Sequence, residues 1–246
     1  MDGLRGKFLV LDGPDGGGKT TVGRLLAKRL TDAGLSVVQC RDPGGTKVGD
    51  RIRSVLLDFD LASMDIRCET FLFMASRAQL VAEVIRPALA EGKLVLCDRF
   101  ISATCAYQGA AGYDVEAILS LGRHAVGTTW PAMTFVLDVP PDVGLERIHR
   151  RPDAGVSADP SPQRSSAYGG LVLPAPQVDA PITPAKHLDA MERRPRKFHN
   201  QVRANFLALP GRYPAPVEIV DASAPVEQVL ETLWERLKRL HQPNCP

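Results

Sequence analysis

Short apolar runs alternate along the chain with longer stretches in which apolar residues recur every three or four positions. The short runs are Phe8–Leu11, Val37–Cys40, Leu94–Cys97, Thr134–Leu137 and Val217–Val220. Each is rich in Val, Leu or Ile and continuous rather than alternating, which predicts strands buried on both faces. Between them, Thr20–Ala33 places Val22, Leu25, Leu26 and Leu30 on one side. Cys68–Glu91, Glu192–Leu209 and Pro225–His241 repeat the helical period, the last through Val229, Leu233, Leu237 and Leu240. Strands joined by helix-sized crossovers predict an α/β fold, a five-stranded parallel sheet with helices on both faces. Binding sites in such a sheet lie at the carboxyl ends of the strands.

One stretch departs from this pattern. Pro152–Pro184 is rich in Pro, Ala, Ser and Gly, and prolines at 152, 160, 162, 174, 176, 181 and 184 deny it a regular helix or central strand. Residues 1–246 therefore read as one domain with a Pro/Ala/Ser-rich insertion at about 152–186. The insertion is either a passive spacer or a mobile lid that orders over a bound nucleotide or contacts a partner, with Tyr168 and Leu171–Leu173 as its anchor.

Charge narrows the partners. Lys and Arg number 30 against 28 Asp and Glu, a net charge of +2, so the basic excess expected of a nucleic-acid binder is missing. No apolar stretch approaches the ~20 residues of a membrane helix, and Phe8–Leu11 is too short for a secretory leader. Five cysteines without a CxxC pair predict reduced thiols and a cytoplasmic protein.

The strongest chemical signal follows the first strand. Gly13-Pro14-Asp15-Gly16-Gly17-Gly18-Lys19-Thr20 fits G-x-x-x-x-G-K-[ST], and Thr21 continues it into the helix. Glycines let backbone N–H groups curl around phosphate oxygens, Lys19 reaches the β- and γ-phosphates, and the Thr20 hydroxyl suits Mg²⁺. The helix N-terminus adds its positive end. Asp98, at the end of an apolar strand, is either a turn residue or the carboxylate that supports Mg²⁺.

The remaining motifs separate a kinase from a switch protein. No Asn-Lys-x-Asp guanine reader exists, since the only asparagines are Asn200, Asn205 and Asn244. Arg41, Arg77 and Arg99 are candidates for a second phosphate cradle, because the guanidinium fork binds phosphate bidentately.

Arg41-Asp-Pro-Gly-Gly-Thr46, Phe73-Met-Ala-Ser-Arg77-Ala-Gln79 and Asp98-Arg-Phe-Ile-Ser-Ala-Thr-Cys-Ala-Tyr-Gln-Gly109 together resemble the thymidylate kinase family. The resemblance covers most of residues 6–151 and resumes over 187–240. It implies a P-loop kinase fold and transfer of the γ-phosphate of ATP to dTMP with Mg²⁺, in a cytoplasmic homodimer. It implies that Phe73 stacks on thymine, although an aromatic on such a helix is equally a core residue. Arg77 and Ser102 would reach the base, Tyr107 and Gln108 would close around base and sugar, and Arg41 and Arg99 would hold the acceptor phosphate. Asp15 would face the acceptor, and Thr20 and Asp98 would serve the metal.

The family draws its mobile cations either from an Arg after the P-loop acid or from a basic lid. Gly16 follows Asp15 here, so the lid is expected to supply them, from Leu145-Glu-Arg-Ile-His-Arg-Arg151. Arg147, Arg150 and Arg151 are its candidates, with Arg193 or Arg194 returning afterwards, and a solvated basic helix face is the alternative. Lys19, Asp15, Arg99, Arg150 and Arg151 form the expected catalytic set. A kinase for another nucleoside monophosphate or a deoxynucleoside, or a nucleotide-binding regulator without turnover, remains open on residues alone.

Overall fold

The computed structural model describes residues 1–58, 64–150 and 194–241. The insertion expected at about 152–186, with Tyr168, Leu171–Leu173, Arg151 and Arg193, lies outside them.

Five parallel strands, β1 (Phe8–Asp12), β2 (Val37–Arg41), β3 (Leu94–Asp98), β4 (Met133–Asp138) and β5 (Val217–Asp221), form one sheet in the order β2-β3-β1-β4-β5. β1, β3 and β4 are central and buried almost throughout, as their continuous apolar runs require. β2 and β5 occupy the edges and are only partly buried. Their runs read like the central ones because an edge changes hydrogen bonding before it changes composition. Every strand extends past its apolar run to an ionisable residue: Asp12, Arg41, Asp98, Asp138 and Asp221. The carboxyl edge of the sheet is thus a row of charges.

Alternate side chains supply two cores. Leu9, Leu11, Leu96, Phe135 and Leu137 face α1 (Lys19–Asp32) and α9 (Val226–His241). Val10, Val95, Cys97 and Val136 face the other layer, built from α3 (Ile66–Leu80), α5 (Ile101–Ala110), α6 (Val115–Val126) and α8 (Arg196–Leu207). α2 (Lys47–Asp58) packs on α3, and α7 (Pro141–His149) follows β4. After α3 a wide π turn, Val81–Ile85, leads into α4 (Arg86–Ala90), where Pro87 removes a backbone donor; the helix expected over Cys68–Glu91 is therefore interrupted.

Apolar periodicity alone misses α5, and the burial pattern explains why. Ile101, Ser102, Thr104, Cys105, Ala106, Tyr107 and Gln108 are all buried, so the helix has no polar face to alternate with. Among the described residues, no helix is long and apolar enough to cross a membrane.

Candidate active site

The chain leaves β1 at Asp12 and turns on glycines. Gly13 has φ 129°, and a Cβ there would lie 2.4 Å from the Leu137 carbonyl oxygen. Gly16 has φ 76°, and its Cβ would lie 2.1 Å from the carbonyl oxygen of Gly144 on α7. Neither position tolerates a side chain. Gly18 caps α1 with no side-chain hydrogen bond, which leaves the first-turn amides for an anion. The Lys19 ammonium folds back on the loop and donates to the carbonyls of Gly13 (3.0 Å) and Pro14 (2.8 Å). Burial, reinforced by Arg99, lowers its pKa to about 8 against the pull of Asp15, Asp98 and Asp12. The Thr20 hydroxyl donates to Asp98 Oδ2 at 3.1 Å, so the P-loop meets the end of β3 at two oxygen atoms. Hydroxyl and carboxylate oxygens beside a phosphate site are the donor set a hard divalent cation takes.

A charged cluster closes the other side of the loop. Arg99 sits at φ 68°, a left-handed conformation costing about 1–2 kcal/mol for a residue with a Cβ. The turn aims its guanidinium at the Asp15 carboxylate, Asp12 Oδ1 (3.4 Å) and the Gly13 carbonyl (3.2 Å). The Tyr107 hydroxyl donates to Asp15 Oδ2 at 2.7 Å, and the Arg99 guanidinium lies 5.1 Å from the Tyr107 ring centroid. Burial pushes the Asp15 carboxyl up, but Arg99, Lys19, the Tyr107 hydroxyl and His199 together hold it below the usual carboxylate range. Asp12 shows the opposite balance. Its burial outweighs Arg99, Ser102, Lys19 and the Gly13 N–H, and its pKa is raised.

Asp12 is a site residue that sequence reasoning missed, because a lone Asp after an apolar run reads as a turn. It also claims Ser102. That hydroxyl, expected at the base, is fully buried and donates to Asp12 Oδ2 at 2.5 Å.

Two helical stripes form the far wall. Glu69, Phe73 and Arg77 recur every fourth residue on α3, facing Thr104 and Gln108, also four apart, on α5. Arg77 is 1% exposed and committed to the protein. Its Nε donates to Asp42 Oδ2 (2.6 Å), and its Nη2 to the Phe100 carbonyl and Thr104 Oγ1 (3.1 Å each). It ties the Arg41–Thr46 loop to α5, while its Nη1 lies 3.1 Å from the Met74 sulfur. Gln108 Nε2 donates to Glu69 Oε1 at 3.0 Å, and Glu69 was not anticipated either. The spacing of four was the available signal. Phe73 is half-buried between the two polar pairs. Arg41 is exposed and its guanidinium makes no hydrogen bond or ion pair among the described residues.

α8 completes this wall. Phe198 packs on Tyr107, with ring centroids 6.3 Å apart, and Arg194 stacks over Phe198 at 5.1 Å. Arg203 Nε and Nη2 each lie 2.8 Å from an oxygen of Asp138 at the end of β4.

On the opposite side of the P-loop a cavity of about 360 Å³ is lined by Gly16, Gly17, Gly18, Thr21, Arg147 and Val226 among others. Arg147 donates to the carbonyls of Ala222 (2.7 Å) and Ser223 (3.1 Å), which makes it a wall of this cavity rather than a mobile cation. Arg150 is exposed and pairs with Glu146 at 2.5 Å on its own helix. Nothing in the described residues brings it to the P-loop.

The glycine loop therefore has this cavity on one side and the Arg99–Asp15–Tyr107 cluster on the other. Residues 11–159 match the family model described as thymidylate kinase. The chain is similar to the thymidylate kinase of Clostridium novyi (strain NT), with 33% identity over 95% of this chain and 99% of that protein. It is 37% identical to the thymidylate kinase of Exiguobacterium sibiricum, over 92% of this chain and 91% of that one. For the thymidylate kinase of Syntrophotalea carbinolica the identity is 38%, over 92% and 93%. With a family model matched over residues 11–159 and relatives of 33–38% identity that align along most of both chains, the chain belongs to the thymidylate kinase family.

Proposed function

We propose that this protein transfers the γ-phosphate of ATP to dTMP, giving dTDP and ADP. The observation that carries the reading is the Arg99–Asp15–Tyr107 cluster. It sets a fixed guanidinium beside the phosphate loop, on the side opposite the cavity at Gly16–Gly18. A protein that only senses a nucleoside triphosphate needs no second cationic group there.

The acceptor phosphate is already anionic, so no strong general base is required and catalysis rests on positioning and charge neutralisation. Residues 13–21 hold the donor phosphates through backbone amides and Lys19, and the cavity beside Arg147 takes the donor base. Lys19 leaves the Gly13 and Pro14 carbonyls for the β- and γ-phosphates. Arg99, with Asp15 keeping it oriented, and the unpaired Arg41 hold the acceptor phosphate. Phe73, Tyr107 and Gln108 enclose the base and sugar. Thr20 and Asp98 are the residues that would hold Mg²⁺, which supplies charge neutralisation at the phosphates. Arg150 and Arg151 remain the proposed mobile cations.

The assembly we assign is a homodimer. Val48 and Val55 on α2 and Phe71 on α3 are 49%, 45% and 52% exposed, on two helices packed together, and a second copy would cover them. A monomeric mass by light scattering at micromolar concentration would remove this assignment. The free thiols of Cys40, Cys68, Cys97 and Cys105 support a cytoplasmic setting.

The test of function is ADP release from ATP and Mg²⁺ against a panel of monophosphates. dTMP should give the highest kcat/KM. Turnover with another monophosphate and none with dTMP would refute the assignment.

A further inference from the structure

We propose that Cys40 and Cys97 form a reversible redox modification site, in which closing a disulfide between β2 and β3 weakens the hold on the acceptor phosphate. The disulfide follows from the fold alone, and its effect on the acceptor rests on the function proposed above.

The strand register brings the two residues together. Cys40 and Cys97 are direct partners in the parallel ladder of β2 and β3. Both side chains lie on the same face of the sheet, in the core shared with α3, α5, α6 and α8. The Cys97 thiol has Cys40 as a hydrogen-bonding neighbour. Paired strands run ~4.8 Å apart, inside the span of about 4.4–6.8 Å between the α-carbons of a disulfide. The β-carbons must draw in to about 3.5–4.5 Å. β2 lies at the edge of the sheet, bonded to β3 on one side only, so it can yield.

Burial decides the order of reaction. Cys97 is fully buried, whereas Cys40 is half-buried on its edge strand, so an oxidant meets Cys40 first. With hydrogen peroxide, the Cys40 sulfur attacks one oxygen as the thiolate and becomes a sulfenic acid. The hydroxide released takes the thiol proton and leaves as water. The Cys97 sulfur then displaces the sulfenic oxygen, which departs with the Cys97 proton as a second water, and the S–S bond forms. Two thiols give up two electrons and two protons, and one peroxide becomes two waters. A free thiol reverses the bond by exchange.

The Cys97 thiol has a second task, donating to the Arg99 carbonyl at 3.1 Å. The Arg99 N–H donates to the Leu11 carbonyl at 2.9 Å, so both backbone groups of this left-handed residue are held. A disulfide sulfur has no proton to give. Oxidation therefore frees the Arg99 carbonyl at the turn that aims the guanidinium at Asp15. On the other strand, Cys40 directly precedes Arg41, and the Asp42 N–H donates to the Asp98 carbonyl at 3.0 Å. Drawing Cys40 toward Cys97 thus shifts both arginines assigned to the acceptor phosphate.

The test treats the reduced protein with a small excess of hydrogen peroxide, then digests it with trypsin without reduction. Fragments 30–41 and 94–99 hold one cysteine each and should emerge joined. The KM for dTMP should rise by about 3–10-fold, the worth of one hydrogen bond, with a smaller change for ATP. Dithiothreitol should restore it. Cys40→Ser should match the reduced wild type and show no response to peroxide; if it does not fold, Cys40→Ala takes its place. Oxidation of Cys40 without joined fragments overturns the proposal. So does a joined pair with an unchanged dTMP KM, or a peroxide response in the Cys40 variant equal to that of the wild type. Joined fragments from a chain that shows no dTMP turnover even when reduced would refute the function and not the disulfide.

Discussion

Arg203 on α8 grips Asp138 at the end of β4 through two parallel hydrogen bonds of 2.8 Å. The pair anchors the helix that follows the insertion to the charged edge of the sheet. That helix in turn holds Phe198 against Tyr107. Replacing Arg203 by Met should lower stability by about 1 kcal/mol, since the pair is bidentate but only partly buried. For a chain of this size that is a fall of roughly 2–4 °C in Tm. Thermal unfolding checks the value, and a rise in the acceptor KM without a matching rise for ATP would show the effect reaching Tyr107.

Lys19 links chemistry to pH. Its folded pKa of about 8 lies below the ordinary lysine value of 10.5. Below pH 8 the ammonium is charged in both folded and unfolded states, and the full cost of burying it is present. Between about 8 and 10.5 the unfolded chain holds the proton that the folded chain has lost, so stability rises with pH. Lys19→Met should therefore be more stable than wild type at pH 7, by up to roughly 3 kcal/mol, with the margin shrinking toward pH 10. Urea midpoints of both proteins at several pH values test this. The same variant should lose about 100-fold or more in kcat, as a group aimed at developing phosphate charge is removed.

Tyr107 donates to a carboxylate that must stay ionised to orient Arg99. Tyr107→Phe deletes one of the influences that lower the Asp15 pKa. Asp15 contributes stability above its unfolded pKa and loses it as pH falls through the folded one. The acid limb of kcat/KM should accordingly move to higher pH in the variant, with a loss of a few-fold at pH 7. A superimposable pH profile would count against the contact.

Asp98 accepts from the Thr20 hydroxyl in the place proposed for the divalent cation. Asp98→Asn should raise the Mg²⁺ concentration for half-maximal rate by about 10–100-fold. Chelation should abolish turnover in both proteins. Titrating Mg²⁺ at fixed ATP measures the shift directly.

How much of this could be read from the residues depended on what surrounds each one. β1, β3 and β4 were legible because a central parallel strand must be apolar on both faces. The P-loop was legible because its glycines answer to backbone geometry, and that geometry is the same wherever phosphate is cradled. α5 was hidden from periodicity by its uniform burial and visible only through its motif. Arg77 was legible only in part. An arginine near a phosphate site reads as a ligand, and only the fold reveals Asp42 2.6 Å away to neutralise it. Asp12 and Glu69 escaped notice since a carboxylate's meaning lies in its partners, Ser102 and Gln108, which are far away in sequence.

The close approach of Gly16 to Gly144 has a consequence for how such enzymes can exchange solutions. Placing a cation directly after the P-loop acid would require a side chain where α7 already sits, on a backbone turned to φ 76°. A Gly16→Arg substitution would thus dislodge α7 before it could serve catalysis. A cation at position 16 is barred here by a steric barrier, and admitting one takes a coordinated shift of the loop and the helix. That bar is set by the architecture of this chain, and a single substitution at position 16 does not lift it.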